Sequence, residues 1–110
     1  MIDTVLQAIA EPRRREILQL VRVVERSSGE IAAHFDVTRP AISQHLQVLV
    51  SAGLISVRKD GTRRLYQARP EGFAELREFL ESFWDDRLLR LKRAAEAEQK
   101  RIDRHDRHAG

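Results

Sequence analysis

Ser43, Gln44, Gln47 and Ser51 carry uncharged hydrogen-bonding side chains at spacings that suit one face of a helix. With Ile42 at zero on a wheel of about 100° per residue, Leu46 and Leu49 fall within about 40° of it. The four polar residues spread over roughly the opposite 100°. One stripe can therefore seat the helix while the other is offered outward. Glutamine can pair with adenine through two hydrogen bonds, and serine can meet a base or a phosphate, so the outward face suits base-pair edges in a major groove. Inserted helices read with their N-terminal residues, which favours Arg39, Ser43 and Gln44, with Thr38 at the cap and Gln47 one turn on. Such a Ser/Gln face is also common on helices that meet only water. His45 lies about 60° off the inward stripe, where a side chain either packs on a neighbouring helix or reaches a phosphate.

A second chemical cluster is basic. Arg58, Lys59, Arg63 and Arg64 place four cations in seven positions, opposed only by Asp60. The runs Leu54–Lys59 and Thr62–Gln67 flank Asp60-Gly61, a strong two-residue hairpin signal. Pairing across that turn puts Ile55 and Val57 on one face with Arg64 and Tyr66. Basic residues on an edge hairpin discourage unwanted strand pairing. Four exceed what that task needs, and phosphate or minor-groove contact accounts for them better. Arg13, Arg14 and Arg15 form a third group. They oppose the dipole of the helix they begin, and either pair with Glu11, Glu16 or the acidic part of the last helix, or extend the basic surface.

These residues need elements to hold them. Ile2, Val5, Leu6 and Ile9 predict a first helix over 3–10, with Asp3 as its cap. Pro12 fits the first turn of a second helix, whose apolar face runs through Ile17, Leu18 and Val21 to about Val24. Ser27 and Glu30 match a capping box that opens a third helix carrying Ile31 and Phe35 inward. Small Ala32 permits close helix approach, and Val37 fills the turn. Asp36 there is among the few non-glycine residues that tolerate a positive φ. Thr38 caps and Pro40 starts the helix of 38–51, which Gly53 stops. After the hairpin, Pro70 begins a helix predicted to run to about residue 100, with a polar, frayed tail over 101–110. The order α-α-α-α-β-β-α is α+β and mainly α, in one domain of about residues 1–100.

Composition agrees. The chain has 110 residues, of which 42% are hydrophobic and 34% charged, a balance suited to a folded domain rather than a disordered chain. Its net charge is +3, but residues 1–69 hold 11 Lys/Arg against 7 Asp/Glu, and residues 70–110 hold 9 against 10. The basic excess thus lies with the hairpin and the Ser/Gln helix, as a phosphate-facing surface requires. The sequence has no cysteine, which excludes disulfides, thiolate metal sites and thiol redox sensing. No apolar run approaches membrane-spanning length, and Asp3 and Glu11 interrupt the N-terminal apolar stretch, so a cytoplasmic protein is expected. Paired carboxylates, a nucleophile with its base and a glycine-rich phosphate loop are missing at any suitable spacing, so no enzymatic activity is expected.

Several segments together resemble the ArsR/SmtB family of winged helix-turn-helix regulators. Ala8-Ile9-Ala10-Glu11-Pro12-Arg13-Arg14-Arg15-Glu16-Ile17-Leu18 is similar to the family's opening signature. Glu30–Phe35 resembles its first motif helix, Arg39–Leu49 its recognition helix, and Ala52–Ile55 with Gly61–Tyr66 its strand and wing. The likeness covers about residues 6–84. It implies a homodimer built from the first and last helices, double-stranded DNA with a palindromic operator as partner, and repression relieved by a signal.

Other residues agree with a dimer. Phe73, Leu76, Leu80, Phe83, Trp84 and Leu88 form more apolar stripe than a core of this size can cover, and Val5 and Leu6 could join them. The sensing chemistry of the family is a different matter. Arg26-Ser27-Ser28 stands where metal-sensing relatives carry cysteines, and the last helix has Asp85-Asp86-Arg87 but no histidine before His105. His105 and His108, with Asp103 and Asp106, have metal-ligand spacing in a solvated, incomplete setting. No cofactor or metal is therefore expected, and the effector stays unnamed. A winged-helix module that binds a protein partner instead of DNA is the competing reading.

Overall fold

The computed structural model describes the backbone of residues 1–109 and the side chains of residues 1–84 and 86–104. Helix α1 (Ile2–Ala10) is followed by α2 (Pro12–Leu20), strand β1 (Arg26–Ser27), α3 (Ser28–Ala32) and α4 (Arg39–Ser51). Strands β2 (Ile55–Asp60) and β3 (Arg63–Ala68) come next, then a 3-10 turn at Pro70–Phe73 and α5 (Ala74–Ala109). The chain forms two compact units, Met1–Leu76 and the helical remainder from Arg77. The fold is a mainly helical winged helix-turn-helix with a small antiparallel sheet.

The first two helices differ from expectation at their ends. Met1, not Asp3, occupies the N-cap of α1, and Asp3 lies inside the first turn, where its charge faces the positive end of the helix. Glu11 caps α2 by accepting from the Arg13 N–H at 2.9 Å, and Pro12 takes the first helical position. That helix ends at Leu20 rather than near Val24, and Val23 and Val24 are exposed. Val21, Val23 and Val24 are β-branched and weak helix formers. The backbone turns to the sheet instead, with the Val21 carbonyl accepting from Ala68 and the Leu20 carbonyl from the Arg26 guanidinium.

That turn creates β1, a strand absent from the predicted order. Two residues carry no readable period, yet Arg26 and Ser27 pair with Tyr66 and Leu65. The sheet order is β1-β3-β2. Ser27 also caps α3, and the capping box with Glu30 is complete. Helix α3 stops at Ala32, short of Phe35, and the chain continues through tight turns (His34 N–H to Ile31, Phe35 N–H to Ala32). Asp36 does not adopt a positive φ. Among the described residues only Gly53 and Gly61 do.

Helix α4 follows its sequence signals closely. Thr38 Oγ1 accepts from the Ala41 N–H at 3.3 Å and Pro40 lies in the first turn. At the other end Gly53 has φ 76°, and its N–H and that of Leu54 bond back to Val50 and Leu49. This is a Schellman stop. Gly72 of the 3-10 turn lies against the Gly53 carbonyl, so closely that a Cβ there would overlap the backbone.

The hairpin turns one residue later than expected. Asp60 pairs with Arg63, which leaves Gly61-Thr62 as the two-residue turn. Only Gly61, at φ 65°, is left-handed, the pattern of a turn with glycine first. The faces are nonetheless as read, because the register moved by an even step: Val57 opposes Tyr66 and Lys59 opposes Arg64.

The core of the first unit collects Val5 and Ala8 from α1, Ile17 from α2, Ile31 from α3, and Ile42, Leu46 and Leu49 from α4, closed by Val21, Leu54, Ile55 and Tyr66. The second unit is one continuous helix. Instead of a single helix from Pro70 to about 100, α5 begins at Ala74 and runs on to Ala109. Its own contacts include an edge-to-face pair of Phe79 and Phe83 with centroids 5.1 Å apart and an Arg77–Glu81 ion pair at 2.8 Å.

Candidate nucleic-acid interface

The inward stripe of α4 is almost completely buried. Ile42, Leu46 and Leu49 expose no more than 1% of their surface. Thr38, Arg39, Ser43, Gln44, Gln47 and Ser51 are all exposed. The helix is thus anchored from one side and presents uncharged donors and acceptors from the other. Thr38 has committed one of its two oxygen lone pairs to the cap, and its hydroxyl proton is still available to donate.

His45 packs on a neighbouring helix: it is half-buried, with Nδ1 3.4 Å from the Arg14 guanidinium. The arginine run of α2 is also accounted for. Arg14 Nε donates to the Ala8 carbonyl at 2.6 Å and Nη2 to the Gln7 carbonyl at 3.0 Å. Arg15 donates to the carbonyls of Ile9 and Ala10. Arg13 lies over the Phe35 ring, 5.4 Å from its centroid, a cation–π distance. Cations that oppose the dipole of α2 therefore satisfy the carbonyls and negative end of α1.

All four wing cations are exposed. Arg58 forms an ion pair with Glu25, just before β1. The hydrogen bond from Arg58 holds the Glu25 carboxyl below its ordinary range, and Glu25 in turn raises Arg58. Arg63 stands 3.5 Å from Glu30. The Glu30 carboxyl is lowered chiefly by its hydrogen bonds from Ser27, with Arg63 adding to them. Lys59 and Arg64 face each other across the strands and make no ion pair among the described residues. No local pattern signals the Glu25 and Glu30 pairings, because each joins residues 33 apart in the chain.

Of the residues expected between subunits, Val5 is a correction. It is 4% exposed and belongs to the subunit's own core. Phe73 and Leu76 are half-buried and pack against that core. Leu6, Leu80, Phe83, Trp84 and Leu88 are exposed, Phe83 by 63%. The side chains of His105 and His108 lie outside the described residues. No helix among the described residues is long and apolar enough to cross a membrane.

Comparison with known proteins places this geometry. Residues 11–57 match the model of the bacterial regulatory protein, arsR family. The chain is also 45% identical over 82 residues to the HTH-type transcriptional regulator Rv2034 of Mycobacterium tuberculosis, spanning 74% of this chain and 77% of that one. The chain belongs to the ArsR family. Within that family it is 40% identical over 60 residues to the transcriptional repressor SdpR of Bacillus subtilis, spanning 54% of this chain and 67% of the repressor. A homodimeric winged helix-turn-helix DNA-binding domain from Mycobacterium bovis superposes with a TM-score of 0.62 at 33% identity, covering 77% of this chain and 79% of that domain. The ArsR match spans α2, α3 and α4 and reaches into β2, the segments that seat and present the Ser/Gln face.

Proposed function

We propose that the protein is a homodimeric transcriptional repressor that reads a palindromic operator, including one before its own gene. Helix α4 enters the major groove, with Arg39, Ser43, Gln44 and Gln47 at base edges and Thr38 and His45 at the backbone. The wing holds the flanking strand through Lys59 and Arg64, with Arg58 and Arg63 exchanging their acidic partners for phosphate. The observation that carries this reading is the uncharged hydrogen-bonding face of α4, exposed along its length while the opposite stripe is buried to 1% or less.

Two-fold symmetry follows from the dimer. The exposed Leu80, Phe83, Trp84 and Leu88 of α5 supply apolar contact between subunits, as does the exposed Leu6 of α1, and the homodimeric mycobacterial domain supports the dimer itself. An isologous dimer presents two α4 helices to two half-sites related by the same axis.

Selection of duplexes from a random pool tests the reading. The expected product is an inverted repeat with half-sites about one helical turn apart, bound more weakly by Gln44→Ala and Arg63→Ala. A pool without symmetry, or binding indifferent to Gln44→Ala, overturns it.

A further inference from the structure

We propose that the cleft between α1 and α4 seats the sugar–phosphate strand flanking the recognition helix, with Arg14, Thr4 and Gln7 as its backbone contacts. The proposal rests on the DNA-binding reading above and extends the footprint to a helix so far assigned only to the dimer. The cleft has a volume of about 600 Å³; Thr4, Gln7 and Arg14 line one side, and Gln44, Gln47 and Ser51 the other.

The argument begins with dimensions. A helix with its side chains is about 10–12 Å across and the major groove is about 12 Å wide. An inserted helix therefore has a phosphate strand pressed against each flank. Two of the α4 residues that line the cleft, Gln44 and Gln47, are among those that read bases, so inserting that face brings the cleft to the rim of the groove. Whatever stands across the cleft then meets the strand.

The groups that stand there are donors. Thr4 and Gln7 are exposed and lie three residues apart, on one side of α1. Arg14 has five N–H groups. Three are directed at the Ala8 carbonyl, the Gln7 carbonyl and His45 Nδ1, so two remain for a phosphate. Because a guanidinium only donates, His45 Nδ1 must accept. Contacts of this kind fix register and orientation without reading sequence.

Binding of a pool-selected duplex, followed by fluorescence anisotropy over a range of salt, tests the proposal in the full chain. Gln7→Glu should weaken binding about ten-fold, whereas Gln19→Glu, the same charge change at an exposed site of α2 outside the cleft, should cost less than about two-fold. Gln7→Lys should tighten binding and steepen the log–log salt dependence by about one. If both Gln7 variants bind like the unaltered chain while Gln44→Ala still weakens binding, the cleft is not used and the DNA reading stands. Equal losses for Gln7→Glu and Gln19→Glu also overturn the proposal, since net charge then explains both. A chain that enriches no duplex overturns the proposal and the DNA reading together.

Discussion

Arg63 of the wing stands 3.5 Å from Glu30, the same carboxylate that closes the capping box at the start of α3. One acid thus serves a helix start and steadies the hairpin. Glu25 does the like for Arg58 on the other strand. Half of the wing's cations are held by acidic neighbours, and the other half, Lys59 and Arg64, face solvent with no ion pair among the described residues.

This division predicts unequal roles in DNA binding. Lys59→Ala and Arg64→Ala should each reduce the steepness of the log–log salt dependence by about one, as expected for one lost phosphate contact. Arg58→Ala should change it less, because that cation must leave Glu25 before it can bind phosphate. Titrations at several salt concentrations distinguish the two classes.

The acidic partners predict a pH dependence of stability. Glu25 and Glu30 are both lowered on folding. A carboxyl lowered in this way stabilises the fold at pH above its unfolded value, and the contribution fades as pH falls through the folded value. Thermal melts of Glu25→Gln and Glu30→Gln should therefore lie below the unaltered chain at neutral pH and converge on it in acid. A gap that persists below the glutamate range contradicts the assignment.

Seating of the reading helix can be tested in the core. Leu46 is 1% exposed between α4 and its neighbours. Leu46→Ala should cost about 2–5 kcal/mol through lost burial and a residual cavity. Urea unfolding should show a lower midpoint at an unchanged slope.

Assembly can be tested on α5. Phe83 and Trp84 expose 63% and 52% of their surface, so Phe83→Asp or Trp84→Asp should leave the subunit folded and shift it to monomer in analytical ultracentrifugation. Affinity for a two-half-site duplex should fall with it, since the second half-site no longer adds to the first.

Much of this was legible in residue types. The capping box at Ser27 and Glu30, the Thr38 cap, Pro40 and the Gly53 stop are local chemistry, and each lies where its spacing predicts. The buried stripe of α4 is equally local, set by the helical period. What the sequence concealed depends on distant partners. The two-residue β1 exists because β3 passes beside it, and Val23 and Val24 continue an apolar run that the backbone abandons for that sheet. Arg14 and Arg15 looked misplaced on α2 because the carbonyls they serve belong to α1. Val5 carries the same spacing signal whether its side chain meets its own core or another subunit, and only packing separates the two. In the hairpin, Asp60-Gly61 and Gly61-Thr62 both offer a glycine for the turn, and the choice between them falls to the pairing of the strands.

The meeting of Gly53 and Gly72 sets a mechanical tolerance. The last turn of the reading helix and the approach to the long helix touch backbone to backbone, with no side chain between them to act as a cushion. Flexible side chains absorb small slips by changing rotamer, but this joint has nothing of the kind to give. A side chain at Gly72 would have to push the end of α4 aside, while Gly53 is held to glycine separately, by its left-handed φ of 76°.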